Sequence, residues 1–192
     1  LPARPRQQAV KLQEELLGSG EGHEQISSSS RPYSPEISFD QNMNLFFGGA
    51  EVFLEHHPGS NVAGIWAILP QEKVIFVGDS VMVNQPPFLA YSDPTAWATD
   101  MKLLASRAFK GYQIVSSRAG LVTQEQVRTM GKLMTFIQNS IAVLKEKNAD
   151  LDTYLELIQR ILKRIEYSPA EGELFFNRLR WGLTTYYELN QA

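Results

Sequence analysis

The chain has 192 residues and a mass of 21.7 kDa, enough for one ordinary domain. Its 43% hydrophobic and 20% charged content is that of a globular protein, not of a disordered tail or a fibre. Lys and Arg number 18 against 21 Asp and Glu, so a net charge of −3 leaves no basic footprint for nucleic acid or an anionic membrane. No apolar run approaches the roughly 20 residues needed to cross a bilayer. The lack of Cys removes thiol nucleophiles, thiolate metal sites and disulfides together, and the three His (His23, His56, His57) are too few for a His-rich metal centre.

The first residues are Leu1 and Pro2, which reads as a processed form or a piece of something longer, and no signal-peptide pattern follows, so the default location is cytoplasmic. Residues 6–17 carry Ala9, Val10, Leu12, Leu16 and Leu17 at helical spacing, ended by Gly18, Ser19 and Gly20. An N-terminal helix is therefore expected within residues 1–19. Residues 20–35, with four serines in a row and two prolines, read as a solvated surface loop that places His23 in water. Residues 37–39, 43–47 and 52–56 are short strand-like runs of branched and aromatic residues, with Gly48 and Gly49 as a hairpin connection that needs positive φ. Residues 62–69 and 74–77 complete an antiparallel meander. Because Ile65, Ala67 and Leu69 alternate with Trp66 and Ile68, the strand over 62–69 is expected to be buried on both faces.

The second half reads as helical, with one more strand over 112–115. Asp93 before Pro94 caps a helix carrying Trp97, Met101, Leu104 and Ala108. Thr123 with Gln126 makes a capping box, Asp150 caps a further helix through Ile165, and Ser168, Pro169 and Glu171 open the last one. On that helix Trp181, Tyr186 and Tyr187 read either as core or as a docking face for a partner. The class is α+β: a β-meander with flanking helices, divided into a half domain over 36–145 and a helical extension over 146–192.

One stretch carries more. His56-His57-Pro58-Gly59-Ser60-Asn61-Val62-Ala63-Gly64 is followed by a strand ending Val77-Gly78-Asp79-Ser80, then the Asp93-Pro94 helix start, then Ile114-Val115 running into Ser116-Ser117-Arg118-Ala119-Gly120. This order resembles the C-terminal half of the metallo-β-lactamase superfamily, where a Pro-Gly-His turn, a Gly-Asp strand end, a helix and a Gly-His-Gly strand end follow one another. The resemblance implies the second half of an αββα sandwich and, in the family, metal-dependent hydrolysis by a metal-bound hydroxide.

The same comparison removes most of the family's ligands. Its His-x-His-x-Asp-His signature occurs nowhere in the chain, the Pro-Gly-His position is Ser60, and the Gly-His-Gly position is Arg118. Only Asp79 matches a metal ligand, and one carboxylate cannot replace three or four protein ligands. His57 is a weaker metal candidate, since His56 and His57 are adjacent on a strand and point to opposite faces. Arg118 would repel a metal and attract an anion. The resemblance implies that Asp79 and Arg118 meet, forming a salt bridge where the family holds its metal; otherwise Asp79 is only a turn residue. Ser60, Arg118 and Asn84, the last in a proline-kinked loop where the family often builds its substrate contacts, are the candidate substrate-binding residues.

The functional expectation is a metallo-β-lactamase-fold domain with a degraded metal site, acting in binding or assembly, without a cofactor of its own. Its partner would be an associated N-terminal fragment or a second copy that covers the exposed sheet, unless the C-terminal helices have taken that place. The alternative is a hydrolase of an ester or phosphoester whose zinc or other divalent ion is held mainly by a missing N-terminal segment. A third reading is a helical interaction protein with an incidental meander.

Overall fold

A computed structural model describes residues 37–190. The expected N-terminal helix, the serine loop and His23 lie outside them. The chain divides into two units, Leu1–Ser38 and Phe39–Ala192. The described part of the first, residues 37 and 38, is in neither helix nor strand, and residue 39 likewise precedes the first strand, so the strand expected over 37–39 is absent.

The second unit holds a six-stranded sheet in sequential order: β1 (Asn42–Phe47), β2 (Ala50–His56), β3 (Ile65–Leu69), β4 (Val74–Phe76), β5 (Gln113–Ser116) and β6 (Gly120–Val122). Strands β1 to β4 are antiparallel neighbours, the meander read from the sequence. Gly48 and Gly49 turn the first hairpin at φ of 56° and 97°, values that cost glycine nothing. The pairing of β4 with β5 is parallel and β5 with β6 antiparallel, neither of which the sequence announced. A parallel neighbour requires a crossover, and here α1 (Pro94–Leu104) supplies it.

Helix starts match their chemistry. Asp93 accepts the backbone N–H groups of Thr95 and Ala96 at 2.8 and 3.0 Å, with Pro94 in the first turn. Thr123 and Gln126 form a reciprocal capping box at the head of α2 (Gln124–Glu146). Asp150 caps α3 (Leu151–Leu155), but the helix expected to run on to Ile165 breaks at Glu156 and resumes as α4 (Leu157–Leu162). Ser168 and Glu171 close a capping box on a 3₁₀ turn, Pro169–Glu171, which leads into α5 (Gly172–Asn190).

Register separates the sheet's two faces. The row Phe53, Ile68, Ile75, Ile114 and Val122 faces the core that holds Trp97, Met134, Ile137, Leu179 and Leu183. Residues on both sides of position 146 contribute to that core. The adjacent row, Met43, Leu54, Ala67, Phe76, Val115 and Leu121, faces the other way across all six strands. It is apolar throughout, yet Phe76 is 45% and Leu121 69% exposed. The expectation that β3 is buried on both sides is thereby corrected: Trp66 and Ile68 are buried, while Ile65 is exposed and Ala67 and Leu69 are only half-buried. Apolar residues on both faces showed that the second face suits burial, not that the described residues cover it. The C-terminal helices pack on the first face and do not cover the second.

Candidate functional site

Parallel neighbours end at the same sheet edge, so the loops leaving β4 and β5 lie side by side. The ladder continues past the strands through Val77 N–H to the Val115 carbonyl (2.9 Å) and Ser117 N–H to the Gly78 carbonyl (3.0 Å). Gly78 takes a φ of 54°, turning the chain so that Asp79 and Ser80 follow in a 3₁₀ turn. Ser80 anchors that turn: its hydroxyl accepts Trp66 Nε1–H at 3.0 Å and its carbonyl accepts Trp97 Nε1–H at 2.8 Å, both rings fully buried. On the facing loop, Ser116 Oγ donates to the Val81 carbonyl (2.6 Å) and accepts the Arg118 N–H (3.2 Å). Two partly exposed side chains are thus set on rigid backbone.

Those side chains are Asp79 and Arg118, which meet as the resemblance implied. Arg118 Nε donates to Asp79 Oδ1 at 3.2 Å and Nη2 to Oδ2 at 3.3 Å, a fork-to-fork pair, and Ser117 Oγ donates to Oδ1 as well. Burial pulls the Asp79 carboxyl upward, but the hydrogen bonds from Ser117 and Arg118 and the charges of Arg118 and Arg178 outweigh it, holding the group below its ordinary value. The side chains remain 50% (Arg118) and 42% (Asp79) exposed. Among the described residues, no three His, Cys, Asp or Glu are placed to hold a metal ion. The donor set at Asp79 does not suit one either, because its carboxylate is already engaged by a fixed cation.

The remaining candidates lie apart. His56 is exposed at the end of β2 and its Nε2–H donates to the Val62 carbonyl at 2.8 Å. His57 is buried, stacked on Trp66 with ring centroids 3.7 Å apart and planes at 17°. Its Nδ1–H donates to Asp100 Oδ1 at 2.8 Å and its Nε2 reaches Glu55 Oε2 at 3.3 Å. Burial alone would lower its pKa; the hydrogen bonds and charges of Asp100, then Glu55, raise it above the ordinary value. Both ring nitrogens are therefore committed to carboxylates. Ser60 follows Gly59, whose carbonyl accepts the Asp93 N–H (2.9 Å) and where any Cβ would clash with Trp97 and Asp100. Asn84 is exposed at a φ of 56° and lines a cavity of about 330 Å³ with Gln85, Glu125, Thr129 and Arg164. Neither Asp79 nor Arg118 lines that cavity.

Residues the sequence did not single out complete the picture. Arg178 on α5 directs Nη1 to Gln85 Oε1 (3.1 Å) and Nη2 to Met82 Sδ (3.7 Å), and burial together with the Arg118 charge lowers its pKa against the opposing pull of Asp79. Of the three α5 aromatics read as core or docking face, Tyr186 is core and Tyr187 packs edge-on against Tyr154 (5.1 Å). Trp181 is exposed, stacked on Phe88 at 4.8 Å. No sequence signal linked Arg178 to Asp79, which is 99 positions away.

Solved structures share this fold. The chain is similar to a metallo-beta-lactamase family protein from Thermus thermophilus (16% identity, 98% of this chain and 60% of that one, TM-score 0.55). It is also similar to a stereoselective inverting sec-alkylsulfatase from Pseudomonas sp. (14% identity, 82% and 27%, TM-score 0.55). This chain has a metallo-β-lactamase fold. A metallo-beta-lactamase from Pontibacter korlensis matches over 54% of this chain and 50% of its own length, with 20% identity and a TM-score of 0.48. The chain spans from about a quarter to 60% of the length of these proteins. No protein-family model matches the sequence, and no curated protein matches it. Among the described residues no helix is long and apolar enough to cross a membrane.

Proposed function

We propose that this chain is one half of a two-sheet metallo-β-lactamase-type body and serves as a binding and assembly module, not as a hydrolase on its own. The observation that carries this reading is the row Met43, Leu54, Ala67, Phe76, Val115 and Leu121, apolar across all six strands and left uncovered by the described residues. Monomeric proteins rarely expose an apolar patch this continuous. Its occupant is a second sheet supplied by a segment outside this chain, on a longer form of it or on an associated fragment. The length of the fold relatives supports that occupant, since the chain spans 27% of one and 60% of another. At the strand ends, Arg118 neutralises Asp79 in place of a metal.

The test is twofold. Intact mass against the full reading frame shows whether a further segment is encoded and whether it co-purifies. Sedimentation of the 192-residue chain alone is expected to show association that Phe76→Glu with Leu121→Lys abolishes. A monodisperse wild-type monomer of unchanged behaviour in the double variant would sink the docking face, and a discrete dimer would assign it to a second copy instead.

A second reading is a metal-dependent hydrolase of an ester or phosphoester completed by residues outside the chain. What favours it is Asp79 itself, still 42% exposed at a strand end, in a chain similar in fold to a protein named as a sec-alkylsulfatase. Metal analysis separates the two: one equivalent or more of zinc, iron or manganese in the purified protein supports the hydrolase.

A further inference from the structure

Arg178 is a half-buried guanidinium whose polar partners, Gln85 and Met82, are both neutral. The charged groups acting on it are Arg118 and Asp79, and those acting on Asp79 are Arg118 and Arg178. Asp79 is already held by the Arg118 fork and by Ser117. Among the described residues no carboxylate pairs with Arg178, so its positive charge is left over in a partly desolvated place. An unpaired cation is costly there, and an arriving anion relieves that cost.

The same guanidinium abuts an aromatic wall. Its Cζ lies 6.0 Å from the Phe88 ring centroid. Phe88 stacks on Trp181 with planes at 22°, and Tyr91 meets Trp181 edge-on at 6.3 Å. Leu174, Arg178 and Trp181 recur at positions i, i+4 and i+7, so they form one stripe of α5. Leu174 is 66% and Trp181 46% exposed, which leaves a flat apolar surface beside the cationic end.

We propose that Arg118, Arg178 and the Phe88–Tyr91–Trp181 wall form a binding site for an aromatic monoanion, an aryl carboxylate or aryl sulfonate. The anionic group sits on the guanidiniums and the ring lies along Trp181. The unpaired Arg178 charge favours an anion over a neutral ligand, and the stacked wall favours a planar body. This inference deepens the reading of the chain as a binding module, giving the strand-end site a ligand class, and it does not depend on what covers the sheet face.

The experiment is calorimetric titration of the full 192-residue chain with 2-naphthoate, naphthalene-2-sulfonate and the neutral 2-naphthylmethanol. Both anions are expected to bind, with the alcohol about tenfold weaker or worse. Arg178→Met and Trp181→Leu should each weaken naphthoate by about tenfold, and added salt should weaken the anions but not the alcohol. Arg118→Met provides the same reading if Arg178→Met does not fold. Equal affinity for anion and alcohol, no anion binding at millimolar concentration, or full affinity in folded Arg178→Met overturns the proposal. Phe76→Glu on the sheet face should leave naphthoate binding unchanged, so that failure of the docking surface is distinguished from failure of this site. Loss of binding in that variant would put the anion elsewhere and overturn the assignment.

Discussion

Replacing Asp100 by Ala should expose how the turn bearing Gly59 and Ser60 is held. Asp100 and His57 are each about 10% exposed at the side chain and bonded at 2.8 Å, so they form a buried pair joining the end of β2 to α1. Removing one partner of such a pair costs about 3–5 kcal/mol. Two features of this pair reduce that cost. Glu55 remains as a second partner at 3.3 Å. Asp100 Oδ2, moreover, is buried with no hydrogen-bond partner, and its removal returns about 1–3 kcal/mol of desolvation. The net loss is expected to be about 2 kcal/mol. Its sign with pH follows from His57, whose folded-state pKa lies above the ordinary 6.5. Stability from the imidazolium is therefore fully present below pH 6.5 and is lost as pH rises through the folded-state value. Urea unfolding of wild type and Asp100→Ala should show the larger gap on the acid side of 6.5 and a narrower gap well above it. A penalty that is the same at both pH values would refute the charged pairing, and His57→Gln should remove the pH dependence from the comparison.

Other substitutions probe the same framework. Gly59→Ala would put a Cβ 2.5 Å from Trp97 Cα and 2.6 Å from Asp100 Oδ2, so thermal melts should show a loss of about 3 kcal/mol or failure to fold. Gly111→Ala, at a φ of +82° with open space around it, should cost only about 1 kcal/mol of backbone strain. Asp79→Asn should change stability by less than about 1 kcal/mol, because the Arg118 pair is exposed and screened. The folded-state pKa of Asp79 lies below 3.8, so its contribution is present above pH 3.8 and lost as pH falls through the lower value. Acid unfolding of wild type and Asp79→Asn should accordingly converge at the lowest pH, and a gap that widens there would contradict the pairing.

Several parts of this protein were legible from residues alone because their causes act over a few positions. Asp93 before Pro94, the Thr123–Gln126 box and Gly48-Gly49 each satisfy or relax backbone groups within about one turn, and each appears as read. The order of landmarks from Pro58 to Gly120 was enough to indicate the fold and the encounter of Asp79 with Arg118. Packing decided the rest. The break at Glu156, the parallel β4–β5 pairing and strand β6 depend on neighbours that no local pattern names. His57 finds Asp100 across 43 positions and Arg178 finds Gln85 across 93, distances over which composition and periodicity carry no pairing information. Alternation in β3 established that both faces are apolar; whether each is covered is a property of what stands opposite, and only the three-dimensional arrangement shows one face filled by helices and the other left open by the described residues.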